Sequence, residues 1–406
     1  MPQSKKLDIV LFGATGFTGE LIAEYLARAQ LHEPFRWAIA GRDPQKLERL
    51  KTRLCSINPV VREDLQIIIA ESDQPETLRA MAARTRVVLS VVGPYIHHGE
   101  ALVSACIEAG ADYADLTGEP EFVDRMIQRY QAAAAERKVK IIHSCGFDSI
   151  PHDLGVFYTL RQLAQRLGKE TMRQSDVKVE GFVRAGGRLS GGTWHSAIHA
   201  FSRAWDYLQQ RRERETHRRG SPREVGSLMP TLKYRAEVGA WALPFPTIDP
   251  MVIERTATEL DSYGQRFHYG HYVRVKRLPR VLMGVAAVAS VFTLAQIPPA
   301  RNWLLKQKPQ GSGPSAAQRA YGHFSVIFIA HCDGLKLTTQ VSGGDPGYTE
   351  TAKMLGETGL CLALDRRVLP KHYGIVTPVV GMGKRLLQRL ELAGIRFEVI
   401  KEEDCE

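Results

Sequence analysis

One turn near the start of the chain limits what it can fold into. In DIVLFGATGFTGELIAEYLA, residues 8–27, Gly13, Gly16 and Gly19 stand three apart between a β-branched run and a helical one. Residues 8–12 have the make-up of a buried strand, and apolar positions over 17–29 recur at helical spacing. In such a strand-to-helix turn Gly13 permits the tight bend, Gly16 lets the backbone approach a pyrophosphate, and Gly19 lets the helix pack closely on the strand. The free N–H groups and the positive end of the helix dipole then face the phosphates. Gly13, Thr15, Gly16, Phe17, Thr18 and Gly19 are therefore the first candidate cofactor contacts. The spacing is GxxGxxG rather than GxGxxG, so the turn alone does not settle the matter and the rest of the chain must carry it.

The next 120 residues do. RWAIAG (36–41) reads as a second strand, followed by a helix with Asp43 as N-cap and Pro44 at its first position. LQIIIA (65–70), VVLSVVG (87–93), DYADL (112–116) and VKIIHSCG (139–146) read as strands three to six. Helical stretches at 75–84, 99–109 and about 120–137 lie among them. Six alternating units with the glycine turn in the first make an α/β chain with a doubly wound dinucleotide-binding domain. The end of the second strand selects the cofactor. A carboxylate there binds the ribose hydroxyls of NAD, whereas a 2′-phosphate calls for a cation. The chain has Gly41-Arg42, and a planar guanidinium pairs with a phosphate and stacks on adenine. Asp43 is explained by its capping role, so NADP(H) is the expected cofactor.

At 406 residues there is room for a second domain. DVKVEGFVRAG (176–186), YVRVKRL (272–278), FSVIFIAH (324–331) and KLTTQVS (336–342) read as its strands, giving an α+β substrate domain on a mixed sheet. RLSGGTWHSAIHAF reads as a glycine turn entering a helix near Thr193. Gly192 and Thr193 there are candidate substrate contacts, against the plainer reading of a strand-to-helix turn. The six cysteines form no CxxC pair, so neither a disulfide framework nor a metal site is indicated, and a reducing, cytoplasmic setting fits. The first ten residues lack the apolar core of a signal peptide. Of the net charge of +10, residues 203–308 carry 18 Lys+Arg against 9 Asp+Glu. That region reads either as a solvated basic face or as a docking surface for an acidic partner. No aromatic interleaving accompanies it, so nucleic acid is not the expected partner.

Longer motifs carry a resemblance. GATGFTGE, AGR, VVGPYIHHGEALVSACIEAGADYADLTGEPEF and HSCGFDSIPHDLGV resemble the saccharopine dehydrogenase-like oxidoreductases. SGGTWHS, GSGPSAAQRAYGHF, GGDPGYTETAKMLGETGLCLALDRR and GIVTPVVGMGKRLLQRLELAGI are similar to the mycobacterial trans-acting enoyl reductases of that family, which work beside modular polyketide synthases in complex lipid synthesis. The resemblance implies NADPH-dependent reduction of an enoyl thioester on an acyl carrier protein, with hydride passing to the β-carbon and an acid protonating the α-carbon. It also implies that the helices within 346–395 return to the first domain. The expected division is thus 1–155 for NADP binding and 156–345 for substrate, the latter holding a basic segment (203–235) and an apolar one (281–300). An acidic carrier protein would suit the basic segment.

Ligands of a doubly wound sheet lie beyond the carboxyl ends of its strands. Val92, Gly93 and Pro94, at the end of strand four, are expected to approach the cofactor, with Tyr95 and His97 as candidate proton donors or enolate stabilisers. Tyr95 reads equally well as a pocket wall. Ser144, Cys145 and Asp148 end strand six; Cys145 and Asp148 are expected to line the substrate crevice, since hydride transfer needs no nucleophilic thiol. Residues 281–300 contain no charge. Three placements stay open for them: a buried element or channel wall, a peripheral contact with a lipid surface, and a membrane span. Two other function classes stay open as well, a saccharopine-type amino-acid dehydrogenase and a non-catalytic NADP-binding protein on lipid surfaces.

Overall fold

The computed structural model describes residues 7–186, 191–203, 223–308 and 313–404. The chain divides into two compact units, residues 1–150 with 347–394 and residues 151–346 with 395–406. The glycine-turn strand β1 (Leu7–Phe12) is followed in the first unit by β2 (Trp37–Gly41), β3 (Gln66–Ile69), β4 (Thr85–Ser90), β5 (Asp112–Asp115) and β6 (Lys140–Ile142). In the second unit lie β7 (Asp176–Gly186), β8 (Glu224–Ser227), β9 (Lys233–Arg235), β10 (Ala240–Pro244), β11 (Arg266–Val275), β12 (His323–Cys332) and β13 (Leu335–Gly343). The chain then returns to the first unit for β14 (Gly374–Val376) and ends in the second with β15 (Arg396–Asp404).

The first sheet is parallel throughout, in the order β14-β6-β5-β4-β1-β2-β3. Its inner strands β1 and β2 are buried along their whole length, which is why, apart from Asp8, they read as apolar runs. The helix Pro44–Cys55 begins at Asp43, whose carboxylate accepts from the backbone N–H of Lys46 at 3.0 Å. The helix Thr349–Leu364 buries 13 of its 16 residues. Its glycines make this packing fit: a Cβ on Gly359 would come within 2.7 Å of Leu89, and one on Gly356 within 2.5 Å of Tyr25.

Two polar anchors hold the returning segment in place. The Lys140 ammonium, buried on β6, donates to the carbonyls of Pro370 (2.6 Å), His372 (2.8 Å) and Gly381 (3.0 Å). Burial pulls it down to about 8, and its three N–H groups match its three acceptors, so it stays charged at neutral pH. Arg389 on the helix Pro378–Leu392 pairs with Glu33 (2.9 Å), Glu357 (3.1 Å) and Asp365 (2.5 Å).

The second sheet is mixed, in the order β15-β13-β12-β7-β11-β10-β9, with β8 also on β11. β7 and β11 are parallel while β7 and β12 are antiparallel. The strand pattern finds β7, β12 and β13 to within a residue. It finds β11 only from Tyr272, and it misses β8, β9, β10 and β15.

Candidate functional site

The glycine turn is built as its spacing demands. Gly13 has φ +85°, in the left-handed region, and its N–H reaches Ala40 O on β2 at 2.9 Å. A Cβ on Gly19 would stand 2.3 Å from Gly13 O, so the helix Phe17–Ala29 sits as close to the turn as backbone allows. Gly16 differs. It is the exposed N-cap of that helix, no side chain caps it, and a Cβ there would meet only Gly13 O at 3.4 Å. The open space above Gly16, at the positive end of that helix's dipole, fits a pyrophosphate.

Thr15 Oγ1 lies 3.9 Å from where a Cβ on Gly41 would stand, which places the turn at the end of β2. The next residue, Arg42, is exposed and pairs with no carboxylate among the described residues, so its guanidinium is available for a 2′-phosphate. Thr18 is half-buried, and Phe17 meets Tyr348 edge-on at 5.1 Å. A Cβ on Gly13 would touch Val92 at 2.7 Å, so the residues following β4 close the other side of the turn. Gly93, the next residue, is exposed beside Pro94. The residues of this unit thus fit NADP(H). When bound there, the cofactor supplies hydride.

Tyr95 is buried. Its hydroxyl donates to Ser90 O at 3.1 Å and accepts from Leu116 N–H at 3.2 Å. Burial, with Asp115 nearby, pushes its phenol well above the ordinary value. The hydroxyl is thus committed to the backbone ends of β4 and β5. His97, two residues on, is exposed.

Three buried residues that the sequence reading left aside organise this rim. The Glu119 carboxylate accepts from Tyr95 N–H and Ile96 N–H, each at 3.0 Å, and so fixes the start of the helical turn Tyr95–His98. Asp115 accepts from Thr117 N–H (3.0 Å) and Ser144 N–H (3.1 Å) and faces His143 Nδ1 at 2.7 Å. Together they tie the carboxyl ends of β4, β5 and β6. The signal was present in DYADLTGE, where Asp112, Asp115 and Glu119 punctuate a strand and the turn after it.

Cys145 is fully buried, with its thiol toward Ile142 O at 3.4 Å. Asp148 is exposed, with its carboxylate 3.3 Å from where a Cβ on Gly118 would stand. Gly192 and Thr193 belong to the second unit, in the first turn of the helix Gly191–Ser202, and their side chains lie outside the described residues. Most of the basic segment 203–235 lies outside them too.

The profile of the saccharopine dehydrogenase NADP-binding domain matches residues 9–142. Trans-acting enoyl reductases of Mycobacterium ulcerans and Mycobacterium bovis are 32% and 34% identical to this chain. The alignments cover 96% and 97% of it and 97% and 98% of those proteins. A Mycobacterium tuberculosis protein provisionally given the same name is 37% identical over 98% of both chains. The solved structure of saccharopine dehydrogenase (L-Glu forming) from Saccharomyces cerevisiae superposes with a TM-score of 0.54, covering 97% of this chain and 99% of that one. At 12% identity that likeness shows the fold. An NADP-dependent oxidoreductase by its first domain, the chain belongs to the saccharopine dehydrogenase-like family, in the group of the trans-acting enoyl reductases.

Proposed function

We propose that this protein reduces the double bond of an enoyl thioester carried on an acyl carrier protein, using NADPH. End-to-end identity of 32–37% with proteins of that name carries the reading, because it extends through the substrate unit as well as the cofactor unit. The chain's own residues hold the cofactor by the turn Gly13–Gly19 and Arg42. Tyr95 acts as a wall whose hydroxyl braces β4 against β5. His97, exposed just beyond Pro94, is the proton source for the α-carbon, with the exposed Asp148 of the same unit bordering the acyl group. The net change is hydride to the β-carbon and a proton to the α-carbon, leaving NADP+ and the saturated thioester.

NADPH oxidation tests this, with the same enoyl chain presented on a carrier protein and on coenzyme A, and with saccharopine plus NADP as control. Turnover of the thioesters with preference for the carrier supports the reading. Turnover of saccharopine alone, or of neither, overturns it.

A peripheral membrane contact through 281–300 belongs to the same reading. In the helix Leu278–Gln296, nine consecutive residues, Leu282–Ser290, are exposed, among them Met283 at 67% and Leu282 at 62%. A helix apolar on every side is at home in a core or in lipid. Residues 276–308 carry Lys276, Arg277, Arg280, Arg301, Lys306 and Lys308 and no acid, which suits an anionic leaflet. A full span is at odds with the topology. β11 precedes the helix and β12 follows it, both pair with β7, and 297–322 is too polar to cross back. The helix enters one leaflet and leaves from the same side.

A further inference from the structure

We propose that His152, Asp249 and His271 form a binding site for one divalent transition-metal ion, zinc by its donor chemistry, inside the second unit. The three come from different elements: His152 from the first turn of the helix Ile150–Leu167, Asp249 from the start of the helix Asp249–Glu259, and His271 from β11. Their donor atoms all lie within 4.8 Å of one another, and no side chain of the three is more than 7% exposed. His152 Nδ1 stands 3.0 Å from Asp249 Oδ1, and His271 Nε2 stands 3.5 Å from Asp249 Oδ2.

Protons alone account poorly for this arrangement. Asp249 Oδ1 and His271 Nε2 are buried and have no hydrogen-bond partner among the described residues, because the approaches are too long or poorly aligned. Buried polar atoms left in that condition are rare. Around a tetrahedral ion with ligands at about 2.0–2.1 Å, neighbouring donors lie roughly 3.3 Å apart, and each imidazole nitrogen stands at about that distance from one oxygen of the Asp249 carboxylate.

The surroundings orient the donors as metal ligands are oriented. Tyr269 Oη meets His271 Nδ1 at 3.0 Å, which leaves Nε2 to face the cluster. The Thr247 hydroxyl donates to Asp249 Oδ2, and Phe245 stacks on the His271 ring. Such outer contacts fix the tautomer and the ring orientation of a ligating histidine. Two histidines and a carboxylate leave a fourth position for water. With all three side chains buried, the ion's work is to tie β11 to the two helices. The three residues stand 97 and 22 positions apart, far outside any short motif.

The test uses untagged full-length protein stripped with chelator and titrated with Co2+, then Zn2+. One Co2+ per chain with visible d–d bands, displaced by Zn2+, together with a melting temperature that rises with Zn2+ and falls with chelator, is the expected result. His271→Ala and Asp249→Asn, checked for folding by circular dichroism, should each lower retained metal at least tenfold. Failure of the wild-type protein to bind either ion above a tenth of an equivalent overturns the site. So does undiminished binding by a folded variant. If both variants fail to fold, the wild-type titration decides alone. Neither result bears on enoyl reduction, which is read by NADPH oxidation.

Discussion

The three glycines of the first turn do different physical work, and their substitutions should separate it. Gly16→Val places its side chain in open space, so the melting temperature should hold while NADPH binding by calorimetry disappears. Gly19→Ala drives a methyl to 2.3 Å from Gly13 O, a collision with backbone. It should cost about 1–3 kcal/mol of stability or more, seen as a lowered melting point before any ligand is added. Arg42→Ala should weaken NADPH about 10- to 100-fold and leave NADH nearly unchanged, since a hydrogen bond to a charged group is worth about 1.5–3 kcal/mol. Equal loss for both cofactors would refute the 2′-phosphate role. At this scale the sequence is eloquent about glycine and cations because each has one dominant physical use. It is less so about Tyr95, whose hydroxyl could serve chemistry or scaffold. Only the positions of Ser90 O and Leu116 N–H decide that it braces the strands.

At the scale of elements, polar anchors carry loads that no hydrophobic pattern reveals. Lys140→Met would leave the carbonyls of Pro370, His372 and Gly381 unpaired in the interior. With each such group costing roughly 1–3 kcal/mol, the first unit should lose about 3 kcal/mol or more in denaturant titration. Asp365 gives a pH signature. Burial alone would raise its carboxyl, but hydrogen bonds from Arg385 and Arg389 outweigh that and hold it below the usual range. A group depressed in the fold contributes stability that is complete above its unfolded value of about 4 and is lost as pH falls through the folded one. The gap in melting temperature between wild type and Asp365→Asn should therefore be full at pH 6 and shrink below about pH 4. A gap that is constant across that range would show that the carboxylate's charge is not what holds the helix Pro378–Leu392.

The apolar helix Leu278–Gln296 is testable on its own terms. Leu282, Met283 and Val288 are exposed, so changing all three to Ser should abolish flotation with anionic liposomes at little cost in melting temperature. Persistent flotation would remove this helix from the contact.

Legibility follows from burial. Strands covered on both faces, such as β1 with its IVLF and β4 with its VVL, show as short apolar runs. β11, RFHYGHYVRV, mixes histidine and arginine into its first half and stays hidden until Tyr272, while the edge strand β15, RFEVIKEED, is charged at six of its nine residues.

For the whole molecule, a net charge of +10 concentrated in one quarter of the chain would make the proposed association with an acidic carrier a matter of ionic strength. Screening lengths fall from about 10 Å at 0.1 M salt to about 3 Å at 1 M. The apparent KM for a carrier-bound substrate should rise severalfold from 50 to 500 mM salt, while that for the coenzyme A thioester changes little. Parallel behaviour of the two substrates would place the basic face outside recognition.

The last described strand has a consequence for how the protein is made. β15 completes the second sheet along β13, and β14 with the helix Pro378–Leu392 completes the first unit just before it. A ribosome therefore finishes the first unit only once it has passed Gly394, and the second only once it has passed Asp404. From Gly343 until Arg396 has been made, β13 waits with its edge unpaired, the kind of edge that recruits a neighbouring chain. A transcript truncated after residue 394 would yield a first unit with all its strands and a second with an open seam. Such a product should accumulate in inclusion bodies, and supplying residues 395–406 as a separate peptide during refolding should restore part of the soluble yield.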